Sequence, residues 1–397
     1  MGKKTYIGIN NVSALAKKAY IGVGGVARQI KKIYLGIENV AREIFGGKSE
    51  VVYKGTIENF KYARFDASAT TLKDYALFAG GKASNSSNGK YFEVYNNTLT
   101  KIDTSVMLQA PTKGMGAGTI GNHSLFCGGA DTSDTYNTAR NYTNVIDELL
   151  TITRGTVLSQ ARINMSVVKN ENHLLFAGGE ASNGNWASAK YNNVDVYDSE
   201  LTRTQATPLT HAHATAPATS INGYALIGGG VGKGSTNKSF DVVAYDRDLV
   251  QTSLENMEGN FTIDFACPAS TVGKFALLGS NASDIINVYN TNLTKQLSIT
   301  SLLTGSQMEG VSFTTLGDNA VWGFGGYAAE RHNKVVCIDE ELTQTLKNGS
   351  IFRNMTSATT IGNFALFGGG SNGASKSGSV ASGSLTQYNV VDVFRLA

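Results

Sequence analysis

The chain has 397 residues, 41% of them hydrophobic, which is ample for a core, while only 16% are charged, below the roughly 25% usual for globular domains. The net charge of +3 alone implies no acidic partner, but it is split: residues 1–48 carry nine Lys or Arg against two Glu, and the remainder is net −4. No apolar run approaches the roughly 18 residues of a membrane-spanning helix, and the N-terminal lysines precede no apolar stretch of the signal-peptide kind, so membrane insertion is not expected and synthesis in the cytoplasm without a signal peptide is.

The first 48 residues repeat with a period of 14: KKTYIGINNVSALA (3–16), KKAYIGVGGVARQI (17–30) and KKIYLGIENVAREIF (31–45). Tyr6, Tyr20 and Tyr34 coincide, as do Gly8, Gly22 and Gly36. Asn10-Asn11, Gly24-Gly25 and Glu38-Asn39 are two-residue turn signals between strands, so the segment reads as a small ladder of hairpins. Some 45 residues of two-faced strand rarely stand alone in water, so a face is expected to be buried against copies from other chains or a docking partner. The regular Lys pairs read as solvated strand edges rather than a nucleic-acid surface. Gly46-Gly47-Lys48 reads as a hinge between this stalk (1–48) and a second domain (49–397). The tandem units resemble segments of tail and baseplate proteins of phages and prophages.

From residue 51 a second, longer repeat takes over. An apolar strand ending in glycine, a polar loop, a strand like Val-Asp-Val-Tyr-Asp and a Leu-Thr recur seven times. The anchor falls at Gly80, Gly128, Gly178, Gly229, Ser280, Gly325 and Gly369, in steps of 48, 50, 51, 51, 45 and 44 residues. A unit of that length holds four short strands, one blade of a β-propeller. In the third copy, residues 161–168 are predicted as strand a, 173–179 as b, 193–198 as c and 201–209 as d. The seventh copy stops after strand c, and residues 51–58 supply the missing strand, closing the ring and removing the exposed edges. Innermost strands should carry small residues near the axis, as Ser68, Gly116, Ser166, Pro217, Pro268 and Ser357 do; Phe313 departs from that pattern.

The double glycine after strand b (Gly178-Gly179), the Tyr-Asp on strand c (Tyr197-Asp198) and the Arg opening strand a (Arg162) resemble the kelch repeat. Leu99, Leu201, Leu293 and Leu342 stand where kelch units usually carry a Trp, and Gly279-Ser280-Asn281 lacks the double glycine. The expected fold is all-β: a seven-bladed kelch-like propeller on a short β-repeat stalk.

Sixteen residues before each anchor stand Arg64, Thr112, Arg162, His213, Asp264, Glu309 and Arg353. If strand a opens at the mouth of the channel, these form a polar funnel: the arginines could hold a carboxylate or phosphate, and Asp264 and Glu309 could serve as an acid–base pair. The competing reading is that the arginines tie neighbouring blades together, as in kelch-like repeats. On the same face the b–c loops vary in length and carry Tyr136, Tyr142, Trp186 and Tyr191 among amides and hydroxyls, a combination suited to stacking on sugars. His211 and His213, two apart, would share a face on a strand but lack a third metal ligand. Cys127, Cys267 and Cys337 read as buried thiols, and neither metal nor cofactor is expected.

These features predict a phage or prophage tail protein of the virion, a homo-oligomer whose copies share the stalk, which binds a host-surface glycan or receptor through its loop face and other virion proteins through residues 1–48. The alternatives are a carbohydrate-active enzyme of the kelch-like isomerase type and a non-catalytic interaction module.

Overall fold

The computed structural model describes residues 50–397 except 133–137, 182–187, 235–236, 263–265, 327–330 and 373–384, and within residues 1–49 the backbone of six short strands. The chain divides into two compact units, Met1–Val51 with Leu396–Ala397, and Val52–Arg395. In the first, the three 14-residue repeats form three hairpins: Tyr6–Ile9 with Val12–Leu15, Ala19–Val23 with Val26–Ile30, and Lys32–Ile37 with Val40–Gly46. They share a register, with Tyr6 opposite Leu15, Tyr20 opposite Gln29 and Tyr34 opposite Glu43. Each is a separate two-stranded sheet rather than part of one ladder. The three turn pairs lie outside the described residues.

The second unit is a seven-bladed β-propeller of seven four-stranded sheets. The third blade comprises Ser166–Lys169 (a), Leu174–Ala177 (b), Val194–Tyr197 (c) and Arg203–Gln205 (d). The seventh comprises Ser357–Ile361, Phe364–Gly368, Val391–Leu396 and, from the other end of the chain, Val51–Ile57. The predicted closure therefore holds. The Tyr53 hydroxyl donates to Asp392 at 2.6 Å, and the Ala397 amide donates to the Glu50 carbonyl at 2.8 Å.

The core lies in the wedges between blades. One cluster joins Leu226 and Val242 of the fourth blade to Ala276 and Tyr289 of the fifth; another joins Leu77 and Val94 of the first to Phe126 and Ile146 of the second. Each sheet presents alternate side chains to each neighbour, so its middle strands are apolar on both faces.

The double glycines permit the close approach this geometry needs. A Cβ on Gly80 would stand 2.3 Å from the Thr112 carbonyl oxygen, and one on Gly369 2.5 Å from that of Arg64. The amide of the second glycine then donates to the same carbonyl of the following blade: Gly81 to Thr112 (2.9 Å), Gly129 to Arg162 (3.0 Å), Gly179 to His213 (2.9 Å) and Gly370 to Arg64 (2.8 Å).

Nearer the axis, Asp66, Gly114, Asn164, Thr215, Gly310 and Met355 all adopt left-handed backbone, with φ between 51° and 66°. Their amides chain around the ring, Gly114 donating to Asp66, Thr215 to Asn164, Met355 to Gly310 and Asp66 to Met355. This kink corrects the predicted start of strand a. Residues 161–165 are not strand, because Asn164 turns the chain before Ser166.

Hydroxyls on strand a add two belts. Ser68, Ser166, Ser312 and Ser357 donate to the carbonyl just before strand a of the next blade. Three positions on, Thr71, Thr119, Ser220, Thr271 and Thr360 donate to the equivalent carbonyl of the preceding blade. Ser312, not Phe313, thus occupies the small-residue position of the sixth blade. Phe324, with φ 58°, stands where other blades have their first glycine, and Gly325 is an extra residue. The Phe324 ring fits because Gly349 faces it; a Cβ there would come within 2.1 Å.

Buried tyrosines lock the outer rim. Tyr95, Tyr197, Tyr245 and Tyr289 each donate at 2.7 Å to a carbonyl just beyond strand d of the preceding blade, those of Glu58, Thr156, Thr207 and Glu255. At the c–d turns, Leu99, Leu150, Leu201, Leu249, Leu293 and Leu342 all hold φ between 58° and 66°. Each pushes its side chain into the wedge cluster with the preceding blade. Left-handed backbone costs a leucine about 1–2 kcal/mol, which packing must offset. Truncating Leu201 to Ala should therefore destabilise the propeller by about 2 kcal/mol, and truncating it to Gly should cost no more than the alanine change, because glycine tolerates the turn. Urea titrations of the two variants check that order.

Candidate functional site

The three arginines of the expected funnel do not face it. Arg64, Arg162 and Arg353 are fully buried, and each pairs with an acid on strand c of its own blade: Glu93 at 3.1 Å, Asp195 at 2.6 Å and Asp392 at 2.5 Å. Carbonyls accept from further guanidinium donors, those of Asn193 and Phe176 for Arg162 and of Val390 and Phe367 for Arg353. The Arg353 guanidinium also lies over the Phe324 ring, 4.5 Å from its centroid. Burial pushes the Arg353 pKa down to about 10, Asp392 resisting the shift, which leaves the group charged at neutral pH. The funnel reading required strand a to begin at the arginine. The left-handed kink between the arginine and strand a turns the side chain into the blade instead. Their ion pairs link strand c to the arm before strand a within one blade, and the Arg353 guanidinium reaches the preceding blade through its contact with Phe324.

The seven copies explain one another. Where the first position is Arg (64, 162, 353), the strand-c position is Glu93, Asp195 or Asp392. Where it is Thr112, His213 or Met308, the strand-c residue is Asn144, Val243 or Val336. Met308 takes this place because the inserted Gly325 shifts the glycine spacing by one. Glu309 is therefore displaced from the expected ring and lies half-buried, its backbone carbonyl accepting from the Gly326 amide. Asp264 lies outside the described residues.

His213 is buried, and the loss of solvent pushes its pKa down to about 4. The residues from His211 to His213 are not strand, so the two imidazoles do not share a face: His211 is exposed and pairs with Asp241. Among the described residues no group of three or more His, Cys, Asp or Glu could hold a metal ion. Cys127, Cys267 and Cys337 are buried free thiols.

Of the loop aromatics, Tyr136 and Trp186 fall outside the described residues. Tyr142 is half-buried, its hydroxyl accepting from Arg140, whose guanidinium also pairs with Asp131 and lies 5.2 Å from the Tyr142 ring centroid. Tyr191 is half-buried, its hydroxyl accepting from Gln160 at 3.3 Å. Nearby, the stem of the third b–c loop is fixed by a buried cluster. Glu180 accepts from Lys190 at 2.6 Å, from Ser188 at 2.9 Å and from Asn164 at 2.6 Å.

The structure adds an aromatic pair that sequence reasoning missed. Tyr62 and Tyr91 have ring centroids 4.9 Å apart, and the Lys61 ammonium lies 5.5 Å and 5.3 Å from the two centroids. Tyr62 stands in the arm before Arg64 and Tyr91 at the start of strand c, 29 positions apart in the chain. The repeat itself carries no signal for the pairing, since the other copies have no tyrosine at the first place.

The known proteins give no further anchor: no protein-family model matches the chain, and no curated protein sequence matches it.

Two outcomes test these assignments. Asp392→Val alone strands a buried guanidinium and should cost about 3–5 kcal/mol, whereas Arg353→Met with Asp392→Val, the pairing of Met308 and Val336, should recover at least half of the loss in a urea titration. His213 binds its proton less tightly folded than unfolded. Its contribution is therefore complete above about pH 6.5 and is lost as pH falls toward about 4, a span worth about 3 kcal/mol. Unfolding of His213→Gln should show a correspondingly shallower acid loss than the parent between those pH values.

Proposed function

We propose that the protein is a tail-associated component of a phage or prophage particle that binds a saccharide of the host surface. Residues 1–48 would attach it to other virion proteins and join copies of the chain. The propeller, of kelch type by its double glycines, buried arginines and strand-c tyrosines, would present its b–c loops to the ligand. The observation that carries this reading is the tandem 14-residue repeat, which resembles segments of phage tail and baseplate proteins and folds as three hairpins of one register. A lone two-stranded hairpin is marginal in water, so a partner surface is the natural use of three.

The loop face supports recognition rather than turnover. The arginines proposed as substrate clamps are sealed in ion pairs, and the exposed chemistry is half-buried aromatic rings beside amides, hydroxyls and cations. Such rings stack on the CH face of a sugar while their neighbours meet its hydroxyls. Several copies on one particle would turn weak single sites into firm attachment.

Labelled protein should bind host cells or extracted cell-surface polysaccharide. Trp186→Ala and Tyr62→Ala should each weaken binding about tenfold, the size of one lost stacking contact, with unchanged thermal melting. Binding unaffected by both changes would overturn the loop-face site. Failure of residues 1–48 to incorporate a fused reporter into tail particles would overturn the virion assignment.

A further inference from the structure

The third blade carries a buried group of three reactive side chains that the repeat does not call for. Glu180 follows the double glycine and bridges Ile163 of the arm before strand a on one side and Lys190 of the b–c loop stem on the other. Asn164, next to Ile163, holds the left-handed kink with φ 56°. In the second, fourth and seventh blades the same three places read Gly114, Ala130 and Ala139; Thr215, Val231 and Lys238; and Met355, Ser371 and Gln387. None of those trios has an acid. Of these four blades only the third joins an amine, a carboxylate and a carboxamide.

The three groups are sealed from water. Asn164 is 5% exposed, Lys190 8% and Glu180 0%. Both side-chain nitrogens lie on the one carboxylate: Lys190 Nζ donates to Glu180 Oε2 at 2.6 Å, and Asn164 Nδ2 donates to Oε1 at 2.6 Å. Ser188 completes the arrangement, its hydroxyl accepting from Nζ at 2.8 Å and donating to Oε2 at 2.9 Å. A buried ion pair seldom stabilises a fold more than an apolar pair of like size, and the second blade builds the same stem with Ala130 and Ala139. The chemistry of the trio gives a fuller reason for its presence. A lysine amine is a nucleophile once it has lost a proton, and a carboxylate in contact with it is the base that takes one. A carboxamide held on the same carboxylate is the electrophile, and fixing the two reactants together removes the entropic cost of their meeting.

We propose that Lys190 and Asn164 join in an intramolecular amide bond, with Glu180 as the proton carrier. Glu180 takes a proton from the Lys190 ammonium. The neutral Nζ adds to Asn164 Cγ, forming the new C–N bond. Glu180 gives its proton to Nδ2, the Cγ–Nδ2 bond breaks, and ammonia leaves. The carboxylate then accepts the surplus proton from Nζ. An ammonium, a carboxylate and a carboxamide thus become a secondary amide, a neutral carboxylic acid and ammonia, so atoms and charge balance with no oxidant or other co-reactant. Burial favours this direction, because two charges that are costly to keep out of water disappear, and it keeps water from hydrolysing the product. The bond ties the arm before strand a to the stem of the third b–c loop, 26 positions further along the chain. It is independent of what that loop binds.

Intact-mass spectrometry of the full-length protein should place it about 17 Da, one ammonia, below the mass of its sequence. Trypsin should release residues 163–169 joined to 170–203 through an uncleaved Lys190. Glu180→Gln keeps the shape but cannot take the proton, and Lys190→Arg keeps a cation beside Glu180 but not the nucleophile. Each should have the full mass of its own sequence and release 163–169 as a free peptide, and Lys190→Arg decides the matter should Glu180→Gln not fold. A cyclic imide at Asn164 also loses ammonia, but it leaves the two peptides unjoined and survives in Lys190→Arg. A parent of full mass, a free 163–169 peptide from the parent, or the mass loss persisting in Lys190→Arg would each overturn the bond.

Discussion

Everything in the propeller depends on how near one blade's backbone can come to the next. In four of the double glycines, at Gly80, Gly128, Gly178 and Gly369, the first residue has no room for a side chain against the neighbouring carbonyl, and the second donates its amide to it. That contact sets the wedge angle. Once it is set, the apolar faces of adjacent sheets meet, the left-handed rosette can pass its amides around the axis, and the serine and threonine belts fall within reach of the next carbonyl. The belts run in opposite senses, toward the following blade and toward the preceding one, so neither neighbour is favoured. Where the glycine is absent, as at Phe324, the space is recovered elsewhere, at Gly349.

Polar burial follows the same repeat logic. Three blades carry an arginine and an acid, one carries methionine and valine, and one carries threonine and asparagine in the same two places. A buried ion pair and a well-packed apolar pair are close to interchangeable in stability, whereas half of either is costly. Apart from the fourth blade, where buried His213 and Val243 occupy the two places, the described copies therefore differ by paired changes. The charges that looked most available for chemistry are for this reason the least accessible in the molecule.

Much of the architecture was legible in the sequence because it is written seven times. The period gave the blade, and the truncated last copy gave closure by Val51–Ile57. What stayed hidden had physical reasons. The left-handed kink is occupied by Asp66, Gly114, Asn164, Thr215, Gly310 and Met355, which share no side-chain property, so no pattern announced that the arginines point inward. A one-residue insertion at Gly325 moved Glu309 into the ring and made Phe313 look misplaced. Tyr62 and Tyr91 meet only through tertiary folding. The loop residues Tyr136 and Trp186 and the ring residue Asp264 lie outside the described residues, so that part of the candidate site rests on sequence.

The strand borrowed from the front of the chain gives the disc a property that linear repeat arrays lack. A solenoid exposes two terminal units, and those peel away first while the middle holds. Here each sheet has a neighbour on both sides, and the seam itself is a full sheet with Tyr53 and Arg353 sharing Asp392. No blade can fray alone without breaking two wedges, so local opening gives way to loss of the whole ring. A disc built this way stays intact up to a single threshold and then fails as one body.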